Sequence, residues 1–123
     1  MTASRNMPGG VAVVSPQEAA ELQGDGSAAL IVDVREKREF EQIRVDGAAL
    51  VPLGEFVERH EALPRDRKLL MVCRSGARSM RAATFLAQQG FTDVANVEGG
   101  MIAWHGAGLP VKSGPLDPGE GDL

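Results

Sequence analysis

The sequence predicts an α/β domain with a five-stranded parallel sheet and helices on both of its faces. Short apolar runs rich in β-branched residues alternate with longer stretches of helical period, a pattern typical of this class. The length of 123 residues allows one domain, and a core of that size needs no disulfide or metal for stability. The predicted strands are Val11–Val14, Leu30–Val34, Ala49–Val51, Lys68–Val72 and Val94–Val97.

The predicted helices begin and end at local sequence signals. Ser15 and Glu18 have the spacing of a capping box, and Pro16 suits the first turn of the helix that follows. Gly24 or Gly26 is expected to end this first helix. Further helices are predicted over residues 36–41, 53–61 and 80–89, and a short last helix opens at residue 101.

Both ends of the chain are predicted to be loose. Residues 1–10 are rich in Gly, Pro, Ser and Asn, and residues 112–123 combine Gly, Pro and acidic groups with few apolar ones. Such segments have little apolar surface to offset the entropy lost on ordering. We therefore expect a domain at 11–111 between a flexible N-terminal segment and a flexible, dispensable acidic C-terminal tail.

Composition excludes several classes of function. The net charge of −4 has the wrong sign for a protein that binds nucleic acid or an anionic membrane. A single cysteine and two widely separated histidines leave no zinc cluster or internal disulfide. There is no signal-peptide pattern, and no stretch approaches the about 20 apolar residues that cross a bilayer. We expect a soluble, cytoplasmic protein without a metal.

A lone cysteine follows the strongest predicted strand. Lys68–Val72 runs directly into Cys73, a short loop and then a helix, which is where open α/β sheets bind ligands. Loop N–H groups, the positive helix end and two arginines would favour a thiolate. The sequence therefore predicts Cys73 as a nucleophile, with substrate-binding residues Arg74, Ser75, Gly76, Ala77, Arg78 and Ser79.

Particular roles can be assigned within and beside this loop. Gly76 fits a tight ring of amides that needs a positive φ, and Ser79 could simply cap the next helix, a role compatible with binding the anion. Asp33 and Arg35 lie at the end of the strand expected next to the cysteine strand. Arg35 could reach the substrate while Asp33 fixes the loop, but the two could equally form a structural ion pair.

Four separated motifs add to this interpretation. They are Ile31-Val32-Asp33-Val34-Arg35-Glu36 with Glu39-Phe40, Val51-Pro52-Leu53, Cys73-Arg74-Ser75-Gly76-Ala77-Arg78-Ser79, and Asn96-Val97-Glu98-Gly99-Gly100-Met101 with Ala103-Trp104. In this order and spacing they resemble the rhodanese (sulfurtransferase) family. Where that family usually reads Gly-His-Ile-Pro-Gly-Ala, this chain has Ile43-Arg44-Val45-Asp46-Gly47-Ala48. The missing His and Pro remove no sulfur-carrying group.

The resemblance implies a rhodanese-like fold and sulfur transfer through Cys73. A sulfane sulfur donor would leave a persulfide on this residue, held by the loop amides, and cyanide, a thiol or a protein acceptor would remove it. One thiol is enough and no cofactor is required. With Arg74 directly after the cysteine, the loop resembles the thiosulfate-using loops of the family. Together, Arg74 and Arg78 favour a small anionic donor such as thiosulfate.

Three other functions compete with sulfur transfer. Phosphatases and arsenate reductases use a Cys-x5-Arg loop, but only four residues separate Cys73 from Arg78 and the loop has no Asp as a general acid. A non-catalytic rhodanese-like binding module is a second alternative, although such modules lack the cysteine. A cysteine hydrolase needs a histidine base, whereas His60 and His105 are predicted to be structural or surface residues.

Overall fold

A computed structural model of the protein describes residues 5–7, 10–24 and 28–123. In these ranges the strands are β1 (Arg5–Met7), β2 (Val11–Val14), β3 (Leu30–Asp33), β4 (Ala49–Leu50), β5 (Leu69–Val72) and β6 (Val94–Val97). They form one sheet in the order β1-β2-β6-β5-β3-β4. The pairs β2–β6, β6–β5, β5–β3 and β3–β4 are all parallel, so the five predicted parallel strands are confirmed.

A sixth strand extends the predicted sheet. β1 pairs antiparallel with β2, with Arg5 opposite Val13 and Met7 opposite Val11. This strand lies within the segment 1–10 that was expected to be loose, so that expectation is wrong for residues 5–7. Pairing of this kind uses backbone groups, which composition does not reveal. Residues 1–4 and 8–9 lie outside the described residues.

Five α-helices are present in the described ranges. They are α1 (Pro16–Gly24), α2 (Lys37–Gln42), α3 (Phe56–Arg59), α4 (Ala77–Gln88) and α5 (Gly100–Gly106). The capping box is confirmed, because the Ser15 amide donates to the Glu18 carboxylate and the Glu18 amide donates to Ser15 Oγ. The helix predicted over 53–61 is instead α3 between two short 3-10 turns. Gly54 lowers helix propensity at its start.

The sheet is buried on both faces, as predicted. Every residue of β5 is buried, and successive side chains alternate between two core clusters, as the period of a strand requires. Leu69 and Met71 belong to the cluster that α3 and α4 cover, whereas Leu70 and Val72 belong to the one covered by α1, α2 and α5.

The C-terminal segment packs on the domain, which corrects the expectation of a flexible tail at 112–123. The Arg44 side chain is 1% exposed. Its Nε and Nη2 lie 2.6 and 3.0 Å from the two Glu120 carboxylate oxygens, and its Nη1 lies 2.8 Å from the Gly114 carbonyl. The Leu50 amide at the edge of β4 donates to the Gly121 carbonyl at 2.8 Å. We call this set of contacts the C-terminal clasp.

The clasp lies in the turn where the sequence departs from the family pattern. Arg44 stands where the family usually has His, and its backbone N–H and C=O both bond with Lys112. An ion pair and main-chain hydrogen bonds therefore order a segment with few apolar groups. In the part of the chain that the structure describes, no helix combines the length and apolarity that crossing a membrane requires.

Candidate functional site

Cys73 lies at the carboxyl end of a central strand. β5 has β3 on one side and β6 on the other, and it passes through Cys73 into a loop that leads to α4. The cysteine is a free thiol with a side chain 1% exposed. This is the edge at which a parallel sheet presents its ligand-binding loops.

Hydrogen-bond donors of the loop surround the sulfur. The Gly76 amide donates to Cys73 Sγ at 3.1 Å, and Ser79 Oγ lies 3.3 Å from the same sulfur. Burial by itself raises the pKa of the Cys73 thiol. The Ser79 hydroxyl and the amides of Ser79, Gly76 and Ser75 outweigh it, and together they lower that pKa below its ordinary value. The loop therefore favours the thiolate.

The Ser79 hydroxyl has two possible acceptors. Its oxygen lies 3.3 Å from Sγ and 3.3 Å from the Gly76 carbonyl, yet a hydroxyl has one proton to donate. A negative charge on sulfur attracts that proton more strongly than the neutral carbonyl does. Ser79 can therefore respond to the charge of Cys73 without moving its backbone.

The start of α4 differs in one respect from the prediction. Gly76 has the expected positive φ, +106°, but it is Gly76 that precedes the helix and Ala77 that begins it. Ser79 is thus the third residue of α4 and not its cap, which removes the simple capping role from the alternatives. Arg74, Ser75 and Ala77 are exposed, whereas Ser79 is buried.

The loop is held from behind by α5 and β6. The amides of Met101 and Ile102 donate to the carbonyls of Cys73 and Arg74 at 2.8 and 3.1 Å, and Asn96 Nδ2 donates to the Gly76 carbonyl at 3.1 Å. Gly100, with φ +57°, comes so close that a Cβ there would overlap both the Cys73 and the Arg74 carbonyls. These supports were missed at the sequence level, where the Gly99-Gly100 pair was their only signal.

Asp33 and Arg35 form an ion pair with each other. Arg35 Nη2 lies 2.8 Å from Asp33 Oδ2, both side chains are buried, and the Arg35 amide also donates to Asp33 Oδ1. The guanidinium further donates to the carbonyls of Glu39 and Ile43. Of the two roles left open for Arg35, these contacts are those of a structural ion pair that fastens α2 to the end of β3.

Arg78 is paired with an acid that the sequence did not indicate. Its Nη1 and Nη2 lie 2.8 and 2.9 Å from the two Glu39 carboxylate oxygens. The Arg78 guanidinium holds the pKa of Glu39 at about 2, so the pair is charged at neutral pH. By contrast, Arg74 forms no ion pair with any described residue. The loop therefore has one uncompensated cation and not two.

Neither histidine contacts the sulfur. His60 is buried, with Nδ1 2.6 Å from the Val57 carbonyl and its ring edge-on to Phe85. His105 is exposed on α5. Within the described residues the donors to Sγ are loop amides and the Ser79 hydroxyl, so the arrangement has no imidazole base for a cysteine hydrolase. No group of three or more potential metal-ligating side chains occurs in those residues.

The chain is similar in sequence and fold to several known proteins. The model of the rhodanese-like domain matches residues 15–107. A sulfurtransferase of Allochromatium vinosum is 36% identical over 98 residues, which cover 80% of this chain and 92% of the relative. The thiosulfate sulfurtransferase GlpE of Vibrio cholerae is 33% identical over 95 residues, covering 77% and 90%. A rhodanese-related protein of Thermoplasma volcanium has a TM-score of 0.72 at 33% identity, over 81% of this chain and 96% of that one.

Proposed function

Because the chain belongs to the rhodanese-like domain family, we propose that it is a thiosulfate sulfurtransferase that carries sulfur as a persulfide on Cys73. The observation that carries the proposal is the ring of donors around Sγ, with the Gly76 amide at 3.1 Å and Ser79 Oγ at 3.3 Å. Donors fixed in advance around a sulfur anion stabilise it without reorganisation during the reaction.

The reaction is a double displacement. In the first step the Cys73 thiolate attacks the outer sulfur of thiosulfate, a Cys73 S–S bond forms, the S–S bond of thiosulfate breaks, and sulfite leaves. In the second step a nucleophile attacks the outer sulfur of the persulfide, and the Cys73 thiolate leaves. With cyanide the product is thiocyanate. One cysteine is sufficient for both steps.

The charges around the loop support an anionic donor. Arg74 is exposed, follows the nucleophile directly and has no acid partner among the described residues. The charge of Arg78 is balanced by Glu39 at 2.8 Å. Attraction of a dianion therefore depends mainly on Arg74 and on the amides at the start of α4.

Thiocyanate formation from thiosulfate and cyanide tests this function. The wild-type protein is expected to turn over, and Cys73→Ser is expected to be inactive, because a serine hydroxyl does not replace a thiolate. Circular dichroism and thermal melting check that the variant is folded. Thiocyanate formation by a folded Cys73→Ser protein would overturn the mechanism.

Hydrolysis of an aryl phosphate by the same protein tests the alternative function, a phosphatase. The four-residue spacing between Cys73 and Arg78 makes a ring shorter than that of Cys-x5-Arg phosphatases, so negligible hydrolysis is expected. Hydrolysis at a rate comparable to sulfur transfer would favour a phosphatase.

A further inference from the structure

A groove of about 350 Å³ lies between α2 and α5, beside the loop of residues 73–79, which we call the cysteine loop. Its lining includes Glu39, Gln42 and Ile43 on the α2 side and Ile102 and His105 on the α5 side, together with Arg35 and Arg74. We call it the α2–α5 groove. Its volume is at the lower end of the range of small-molecule sites, so it suits a compact ligand.

The groove has an apolar wall. Ile102 is 54% exposed and is one of the few large hydrophobic residues that the described surface leaves uncovered. Ile43 faces the groove from the end of α2. These side chains can cover a short aliphatic segment of a ligand and remove it from water.

The charge at the loop end selects an anion. Arg35 and Glu39 also line the groove, but each has a partner, Arg35 with Asp33 and Glu39 with Arg78, so their charges are balanced within the protein. Arg74 has no such partner in the described residues. His105 lies one helical turn after Ile102 and lines the same groove. A ligand with a short apolar body and a carboxylate complements this arrangement.

The groove and the nucleophile are fixed to each other. Arg74 is the residue directly after Cys73, and the carbonyls of these two residues accept hydrogen bonds from the amides of Ile102 and Met101. One wall of the groove therefore keeps its position relative to the sulfur. Arg74 therefore joins the groove to the loop that carries Cys73.

We propose that the α2–α5 groove binds the sulfur acceptor and that this acceptor is a small thiol carrying a carboxylate. The inference rests on the proposed function, since it concerns its second step. The thiolate of the acceptor attacks the outer sulfur of the Cys73 persulfide, a new S–S bond forms, and the bond between that sulfur and Sγ breaks. The electron pair returns to Cys73 as a thiolate, and the acceptor leaves as a hydropersulfide.

Discharge of the preloaded protein isolates this second step. The protein is incubated with thiosulfate, freed of excess donor, and checked by mass for one added sulfur. It is then mixed with mercaptopropionate, mercaptoethanol or cysteamine, which are an acid, a neutral thiol and an amine of similar size. Rates are compared per thiolate, because the three thiols ionise differently. We expect mercaptopropionate to discharge the persulfide about tenfold faster than mercaptoethanol, with saturation, and cysteamine to be slowest.

A variant of Arg74, with a matched control, tests whether the preference for the carboxylate depends on this arginine. Arg74→Gln should lower the ratio of the mercaptopropionate rate to the mercaptoethanol rate by about three- to tenfold. Arg81→Gln removes an equally exposed arginine of α4 that does not line the groove. It should change neither rate.

The outcomes separate this inference from the proposed function. If thiosulfate adds no sulfur to the protein, the proposed function fails. If sulfur is loaded but the three thiols discharge it at equal rates per thiolate, the acceptor inference is overturned and sulfur transfer stands. Discharge by a reduced thioredoxin but by none of the three small thiols would also overturn it, in favour of a protein acceptor.

Discussion

The cysteine loop and the C-terminal clasp are both held by distant parts of the chain, but by different chemistry. In the loop, neutral backbone groups do the holding, with the Met101 amide on the Cys73 carbonyl at 2.8 Å. In the clasp, a buried guanidinium binds both carboxylate oxygens of Glu120 and the Gly114 carbonyl.

This difference predicts how each region fails. Amide donors are positioned by backbone geometry, so the loop is sensitive to any atom that displaces its backbone and less sensitive to nearby charge. The clasp depends on a full charge in a buried position, and removing one partner leaves the other unpaired. Changes in the loop should therefore act mainly on sulfur transfer, and changes in the clasp mainly on stability.

The largest effect is expected for Gly100→Ala. The new Cβ would overlap the carbonyls of Cys73 and Arg74, and φ is +57° there. Displacing a catalytic group by about 1 Å can cost about 100-fold in rate, so we expect a loss of that size in kcat/KM for thiosulfate, with a lower melting temperature. Gly106→Ala, in open space at the other end of α5, is the control for melting and should leave it nearly unchanged. Wild-type activity in Gly100→Ala would show that the loop does not depend on this close approach.

A clasp variant is expected to have the opposite profile. Arg44→Met should lower the free energy of unfolding clearly more than Arg59→Met does, because it leaves Glu120 without its partner, while kcat/KM per folded molecule stays within about twofold. Denaturant unfolding measures the first quantity. Arg59→Met, which breaks the exposed Arg59–Glu55 pair, should cost less than about 1 kcal/mol. Equal stability of the two variants, or no loss on deleting residues 115–123, would show that the tail is dispensable after all.

Ser79→Ala tests the side-chain donor of the loop. Removing the hydroxyl 3.3 Å from Sγ takes away one of the contacts that lower the pKa of Cys73, so that pKa should rise. A rise of one unit corresponds to about a tenfold loss of thiolate below the pKa. We therefore expect sulfur loading from thiosulfate to be about tenfold slower near neutral pH. In a plot of the loading rate against pH, the rise should lie at higher pH, and the rate should reach the wild-type value once the thiol is fully ionised. Ser75→Ala keeps its amide and should retain the wild-type profile. An unchanged pH profile in Ser79→Ala would show that the Ser79 hydroxyl does not lower the pKa of Cys73.

The smallest effect concerns Glu39. Glu39→Gln removes the negative charge paired with Arg78 while an amide oxygen remains to accept its hydrogen bond. The added net positive charge should raise kcat/KM for thiosulfate by about two- to threefold at low salt. The gain should vanish at high ionic strength, where charges about 10 Å apart are screened. Glu58→Gln, on the exposed side of α3, is the charge-matched control. A decrease in Glu39→Gln would mean that the pair is needed to position Arg78.

The sequence predicted those features that local patterns determine. β5 is buried on both faces. A strand buried in this way needs a continuous apolar run, which can be recognised in the sequence. The cysteine at the end of that run and the positive φ of Gly76 are also local. Glu39 is 39 positions from Arg78, and only the order of the strands brings them together. The clasp uses main-chain groups and one buried arginine, and composition alone predicts a loose tail for such a segment because it has few apolar residues.

Peptide mass spectrometry after incubation with thiosulfate tests for the persulfide on Cys73 itself. We expect one added sulfur atom on the peptide that contains Cys73, and the loss of that atom with formation of thiocyanate when cyanide is added. Thiocyanate formation without an added sulfur on Cys73, or an added sulfur that cyanide does not remove, would contradict a persulfide intermediate at this residue.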